Sequence, residues 1–370
     1  MREIGGYFPY PEKMSAPNGF LEQFICEGDD IKYMMSGRCA NYLALEDYKT
    51  KVSHPVAYVP LYTCETVIDP FKKAGYDLIF YDFDKAMHPI FDEAVLDKIN
   101  LISICGYFGF SSYDKTFLEK CEERNICILE DCTHSIFSKD GVYPGCNYIV
   151  GSMRKWMGVP CGGYAIKKGG VFTPQTIPPH AQHLLMRREG LSMITALSKQ
   201  PESIHLKQAA EAGKQLWDTE LLLRRIYDLN ESDEESIHIM RFIDTAQLIK
   251  QRRENYHYLL EHFPKSSALQ IVFPYLDENT VPSHFTIYAE NRLLFKQYLS
   301  DKGIHATSYW PVGPYIDLDG HNDCRYIYDY VLSLPCDQRY NVQDMEYICY
   351  TVSSYPVSYT HLTLPTTSRV

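Results

Sequence analysis

The stretch Val150-Gly151-Ser152-Met153-Arg154-Lys155-Trp156 decides how this chain of 370 residues is read. An apolar run ending in two acids, Ile128-Leu129-Glu130-Asp131, precedes it, and the pair Gly162-Gly163 follows. Reading outward, residues 56–59, 77–81, 101–105 and 126–129 have the composition of buried strands. Between them, residues 63–74, 92–98 and 113–124 carry helical periodicity. Repeated units of this kind predict an α/β fold, a mainly parallel sheet sandwiched by helices, with ligands gathering at the strands' carboxyl ends. Tyr62 to Cys64, Tyr107, Asp131 and Ser152 all fall at such ends.

Each residue of the stretch has an ordinary reading when taken alone. Lys155 beside Arg154 fits a solvated basic pair, and Glu130-Asp131 fits a polar strand end. Their order along the chain argues for more. A lysine three residues after a serine brings an amine and a hydroxyl to one place. That pair suits pyridoxal phosphate (PLP), whose aldehyde condenses with the amine and whose phosphate accepts from the hydroxyl. Asp131 supplies a carboxylate for the pyridine nitrogen, keeping it protonated. Upstream, Ser36-Gly37-Arg38-Cys39 turns into a helix, and a helix start offers free N–H groups and a positive dipole end to a phosphate. Ser36 as a simple N-cap is the plainer alternative.

Glu130-Asp131-Cys132-Thr133-His134, with Gly151 to Trp156 and Pro160-Cys161-Gly162-Gly163, resembles the fold-type I PLP enzymes. Among them it is most similar to the DegT/DnrJ/StrS-type sugar aminotransferases, from Glu3-Ile4-Gly5 to Leu334-Pro335-Cys336. The resemblance implies that Lys155 holds the cofactor covalently, Asp131 faces the pyridine nitrogen, His134 touches the ring and Ser152 binds the phosphate. It also implies backbone phosphate contacts from Gly37, Arg38 and Cys39. The aromatic that usually stacks on the ring would occupy the slot of Cys64, so Tyr62 or Tyr107 is expected to substitute, with a core role the alternative for both. The family's strand-end histidine is replaced by Gly106. The implied activity is transfer of an amino group, from a donor such as glutamate to the keto group of a nucleotide-linked sugar, by a homodimer. The alternatives are a PLP-dependent lyase, dehydratase or desulfurase, or a non-catalytic binding protein that keeps the fold.

Composition narrows the classes. Hydrophobic content of 45% with 22% charged residues is ordinary for a globular protein. A net charge of -11 argues against a nucleic-acid or anionic-membrane partner. No apolar run reaches the ~18 residues of a membrane helix, and the 12 cysteines form no Cys-x-x-Cys pair. A reduced, cytoplasmic protein with no resident metal is expected; His180-Ala181-Gln182-His183 lacks the acidic or thiol company of a metal site.

Residues 1–35 read as an irregular entry segment and 173–183 as a proline-rich passage. Residues 203–230 and 236–263 read as long helices, with Arg187-Arg188 and Arg252-Arg253 more in keeping with solvated faces than with anion anchors. Tyr309-Trp310-Pro311-Val312 is placed at the mouth of the site. The resulting division is a large cofactor-binding domain, 1–240, a smaller α+β C-terminal domain, 241–357, and a tail, 358–370, that resembles translated adaptor sequence and is excluded from fold reasoning.

Overall fold

The computed structural model describes residues 3–12, 14–198 and 206–356. The expected tail, 358–370, lies outside them. Strand β1 (Ile4–Gly5) is followed by β2 (Asp30–Met34), α1 (Gly37–Lys49), β3 (Val56–Pro60), α2 (Glu65–Ala74), β4 (Asp77–Phe83) and β5 (Pro89–Ile90). Next come β6 (Leu101–Cys105), α3 (Lys115–Glu123), β7 (Cys127–Asp131), β8 (Tyr148–Ser152) and β9 (Gly163–Lys167). The second half holds α4 (Ala181–Ser198), α5 (Leu206–Ile226), α6 (Glu234–Phe242), α7 (Thr245–His262), β10 (Leu269–Ile271) and β11 (Phe285–Ala289). It closes with α8 (Arg292–Asp301), β12 (Ile304–His305), α9 (Asn322–Tyr330), β13 (Val331–Leu334) and α10 (Val342–Ser353).

Eight strands form one sheet in the order β2-β9-β8-β7-β6-β3-β4-β5. Strands β4, β3, β6, β7 and β8 run parallel, so Pro60, Cys105, Asp131 and Ser152 end on one edge. Strand β9 returns antiparallel beside β8, and β2 is antiparallel to β9, which delivers Met34 and the start of α1 to that same edge. Side chains alternate across the sheet as the pleat requires. Ala57, Val59, Leu101 and Leu129 pack with Cys39, Leu43 and Ala44 of α1 and Ile68 and Phe71 of α2. Tyr58, Ile102 and Ile128 face the other way, onto Phe117, Leu118 and Cys121 of α3. The central strands are therefore apolar on both faces, as buried parallel strands are.

A second, three-stranded antiparallel sheet, β10-β11-β13, packs with α7, α8 and α10 around Phe285, Ile287, Leu332 and Leu334. Asn341 caps α10, exchanging bonds with Asp344 in a capping box.

Three expectations need correction. Residues 92–98 form only a short 3-10 turn, Glu93–Val95, where Asp92 accepts from the Ala94 N–H at 2.9 Å. The helix expected over 236–263 is two, because Asp244 caps a fresh start, accepting from the Gln247 N–H at 3.0 Å. The first 35 residues are not irregular throughout. Asp30–Met34 is a strand of the main sheet, and Ile4 pairs with Ile304 inside the C-terminal core.

The edge that carries the strand ends is held by a tight backbone contact. A Cβ built on Gly163 would stand 2.2 Å from the Ser36 carbonyl oxygen, so β9 and the start of α1 can meet only at glycine. We expect Gly163→Ala to lower unfolding stability by about 1–3 kcal/mol in denaturant titration. An unchanged midpoint would show that the backbone yields there freely.

Candidate active site

The carboxyl edge of the sheet opens into a cavity of about 610 Å³. Of the expected residues, Lys155, Asp131, His134, Ser152, Gly37, Arg38 and Tyr107 line it, and so does Cys64. Cys39 and Tyr62 do not.

Lys155 stands on a 3-10 turn, Met153–Lys155, that leaves β8 directly after Ser152. Its side chain opens into the cavity, with Nζ 5.6 Å from the centre of the Tyr309 ring. It is nonetheless deep. Desolvation lowers the pKa of its amine; Arg154 and Arg187 push the same way, against Cys64 and Asp131. The indole of Trp156, wholly buried, anchors the turn by donating from Nε1 to the Thr133 carbonyl at 2.8 Å. The lysine turn is thus tied to the loop that follows Asp131. Asp131 accepts from the Thr133 N–H at 2.9 Å. Burial raises its pKa, opposed by that bond and by Lys155, so a cation placed against it would restore its charge.

His134 is buried between rings, 5.8 Å from Trp310 at an interplanar angle of 20° and 5.4 Å from Phe108. Burial, followed by the charges of His284 and Lys155, drives its pKa well below 6.5. The imidazole is therefore a flat neutral wall. Ser36 caps α1 by accepting from the Cys39 N–H at 3.2 Å. That bond occupies the Cys39 donor expected to face a ligand and leaves the helix's opening to Gly37 and Arg38. A Cβ on Gly37 would lie 3.1 Å from that of Ser152, so the serine and the helix start form a single cradle.

Tyr62 is core, not wall. Its hydroxyl donates to the Tyr309 carbonyl and its ring packs 4.9 Å from Tyr328. Tyr107 reaches the cavity while its own hydroxyl donates to the Tyr62 carbonyl. Together they position Tyr309 and Trp310, which line the cavity along with Pro311, whereas Val312 does not.

The cavity is cationic in an acidic protein. Arg38, Arg154, Arg187 and Arg224 all line it. Arg38 is 6% exposed, and its Nε and Nη1 have no protein partner. Guanidinium groups buried in that state call for an anion. With the Gly37 cradle, Ser152 and the lysine–aspartate pair, the residues present fit a phosphorylated aldehyde.

Several solved structures share this architecture. S. venezuelae DesV superposes with a TM-score of 0.63 at 16% identity, covering 94% of this chain and 90% of its own. PseC of Helicobacter pylori, an aminotransferase involved in the biosynthesis of pseudoaminic acid, gives 0.59 at 13% identity and covers 95% and 98%. A DegT DnrJ EryC1 StrS aminotransferase from Brucella abortus gives 0.59 at 15% identity over 95% and 91%. The fold is that of these aminotransferases. Neither a protein-family model nor a curated protein matches the sequence. Among the described residues, no helix is long and apolar enough to cross a membrane.

Within this aminotransferase fold, four residues take places that sequence reading did not give them. Arg187 and Arg252, placed on solvated faces, are buried. Arg252 lies 4.5 Å from the Trp156 ring and donates from Nε to Gln338 at 2.8 Å, and Gln338 in turn donates to the Trp156 carbonyl at 2.6 Å. The fourth is Glu130. It is buried beside Asp131, accepting from the Tyr113 hydroxyl at 2.5 Å and the Tyr143 N–H at 2.6 Å.

Burial pushes the Glu130 carboxyl from 4.5 up to about 7. The folded protein therefore keeps this proton across a range where the unfolded chain has lost it, and stability falls as pH rises from the unfolded to the folded value. Glu130→Gln preserves shape without ionising. It should flatten the fall, by roughly 3 kcal/mol at full extent, in denaturant midpoints compared below pH 5 and above pH 7. An unaltered slope would remove Glu130 as its source.

Proposed function

We propose that the chain is a PLP-dependent aminotransferase that moves the amino group of an amino acid such as glutamate to the keto group of a nucleotide-linked sugar. One observation carries the reading: Lys155, Asp131 and the Gly37–Ser152 cradle with its unpaired Arg38 open into one cavity. Solved structures of the same fold include sugar aminotransferases, such as CalS13 of Micromonospora echinospora.

Pyridoxal phosphate, when bound, supplies an aldehyde for an amine and a ring that stores the electrons of a broken Cα–H bond. The chain's residues do the rest. Ser152, Gly37 and Arg38 would hold the phosphate. Lys155 Nζ, whose pKa desolvation lowers, would hold the aldehyde and would be the group placed to take the proton from the substrate's Cα. Asp131 would face the ring nitrogen and hold a proton there. His134 and Trp310 would exclude water from the ring's flanks.

The same reading divides the chain at residue 240, into a cofactor-holding domain and a smaller one over 241–357, and makes the protein cytoplasmic. It also implies a homodimer. Leu185, Trp217 and Leu221 are 58%, 51% and 40% exposed on α4 and α5, and Trp217 continues into the cavity wall. An apolar face next to a site is suited to cover by a second copy.

Borohydride reduction of the purified protein should fix the cofactor on Lys155, and Lys155→Ala should abolish the reducible chromophore. Labelling of another lysine overturns the assignment. Asp131→Asn keeps the shape and removes the charge. Turnover should fall on the order of 100-fold further than cofactor affinity does; equal losses would reduce Asp131 to a binding residue.

A further inference from the structure

Lys155 Nζ stands over the ring of Tyr309, 5.6 Å from its centre. Among the described residues the amine makes no hydrogen bond and no ion pair, so this ring face is the partner it has. Tyr309 follows β12, lines the cavity and is 8% exposed. Its ring is held in place from several directions. The hydroxyl meets His284 Nε2 at 3.2 Å, and the other nitrogen of that imidazole, Nδ1, meets Ser283 Oγ at 3.0 Å. Phe108 lies 5.7 Å away at 56° and His134 5.5 Å away at 73°. The Tyr309 carbonyl accepts from the Tyr62 hydroxyl. Burial pushes His284 down to about 3, so the imidazole that fixes the phenol is neutral and adds no charge beside the amine.

We propose that Tyr309 is a positioning residue whose ring seats the Lys155 ammonium whenever the amine is not joined to the cofactor, with His284 and Ser283 holding the ring still. The proposal rests on the aminotransferase reading and adds a residue to that site. An amine that takes a proton from a substrate must keep it until it is handed back, and in a cavity poor in water the charged form needs support. The negative face of an aromatic ring gives that support. Burial holds the Tyr309 phenol well above its ordinary value, so the ring steadies the ammonium without exchanging a proton with it. A carboxylate in the same place would pair with the amine more firmly and hold its proton back. Asp131, Cys64, Arg154, Arg187, His134 and His284 also bear on the amine or feel its charge. All of them stay in place when residue 309 alone is changed, so such a change isolates the ring.

The test is made on the full chain carrying pyridoxamine phosphate, the aminated cofactor, which leaves the Lys155 amine free. Trace acetylation with acetic anhydride, read on the Lys155 peptide by mass spectrometry across pH, gives the midpoint at which the amine loses its proton. Tyr309→Leu removes the ring and should lower that midpoint by about one pH unit, a roughly 10-fold loss of preference for the ammonium. Tyr309→Phe keeps the face and should stay close to the wild type. Where the leucine variant folds poorly, phenylalanines bearing one, two and three ring fluorines at position 309 drain the face of negative charge at nearly constant shape. Relative to Tyr309→Phe the midpoint should fall with each fluorine, a graded response that a packing role does not produce. An unchanged midpoint in Tyr309→Leu, or no trend across the fluorinated series, overturns the seat. So does an equal fall in Tyr309→Phe and Tyr309→Leu, which assigns the effect to the hydroxyl. Failure of borohydride to label Lys155 in the wild-type holoenzyme sinks the cofactor reading itself. Labelling with a flat fluorine series sinks only the seat.

Discussion

The close approach of Ser36 to Gly163 is the constraint on which the site depends. Any side chain at Gly163 would collide with the Ser36 carbonyl, and any at Gly37 would press on Ser152. Because those positions are bare, α1 starts against the ends of β8 and β9, and its dipole points at the place where Ser152 and the lysine turn emerge. The helix start, Ser152 and the Lys155 turn are thus brought together by backbone packing alone. The sheet order does the same for Asp131, since β7 lies next to β8 and the two run parallel.

Electrostatics then set the character of the cavity against that of the whole molecule. A chain with net charge -11 gathers five arginines around one opening and buries two of them almost completely. Burying a guanidinium without full pairing destabilises the fold. A structure that tolerates this at Arg38 and Arg187 holds strain that a bound anion relieves, which is how functional sites depart from the consistency of the rest of a fold. Asp131 and Lys155 follow the same logic, each shifted toward its neutral form by desolvation and each prepared to regain charge beside a partner.

The sequence disclosed what local pattern governs. Apolar runs of strand length, separated by helical ones, located β3, β4, β6 and β7, and the acids, serine and lysine at their ends marked the edge where the cavity lies. Where a short side chain could satisfy the backbone in another way, the pattern misled. Asp92 and Asp244 both accept from the N–H groups after them, shortening one expected helix to a turn and splitting another in two. Tyr62 was a candidate for the ring face because it follows a strand, yet its hydroxyl is drawn to a carbonyl 247 residues away, and no local reading carries that distance. Arginine pairs in charged helices look solvated by composition. Arg187 turns inward only because α4 packs on α5 and brings Glu220 to it.

The hold on Trp156 shows why the second half of the chain matters to chemistry located in the first. The indole donates to the Asp131 loop, its face receives Arg252 from α7, and its carbonyl accepts from Gln338 beyond β13. Arg252 is fixed in turn by the Pro282 and Ser283 carbonyls before β11. The lysine turn is therefore braced on one side by the parallel sheet and on the other by the C-terminal core. A shift of that core relative to the sheet moves the turn that carries Lys155. Since Asp337, Arg339, Tyr309 and Trp310 also line the cavity, such a shift would reshape the cavity and move the Lys155 amine together. Contacts made on the C-terminal core thereby have a mechanical route to the Lys155 amine, through side chains packed at van der Waals and hydrogen-bond distance.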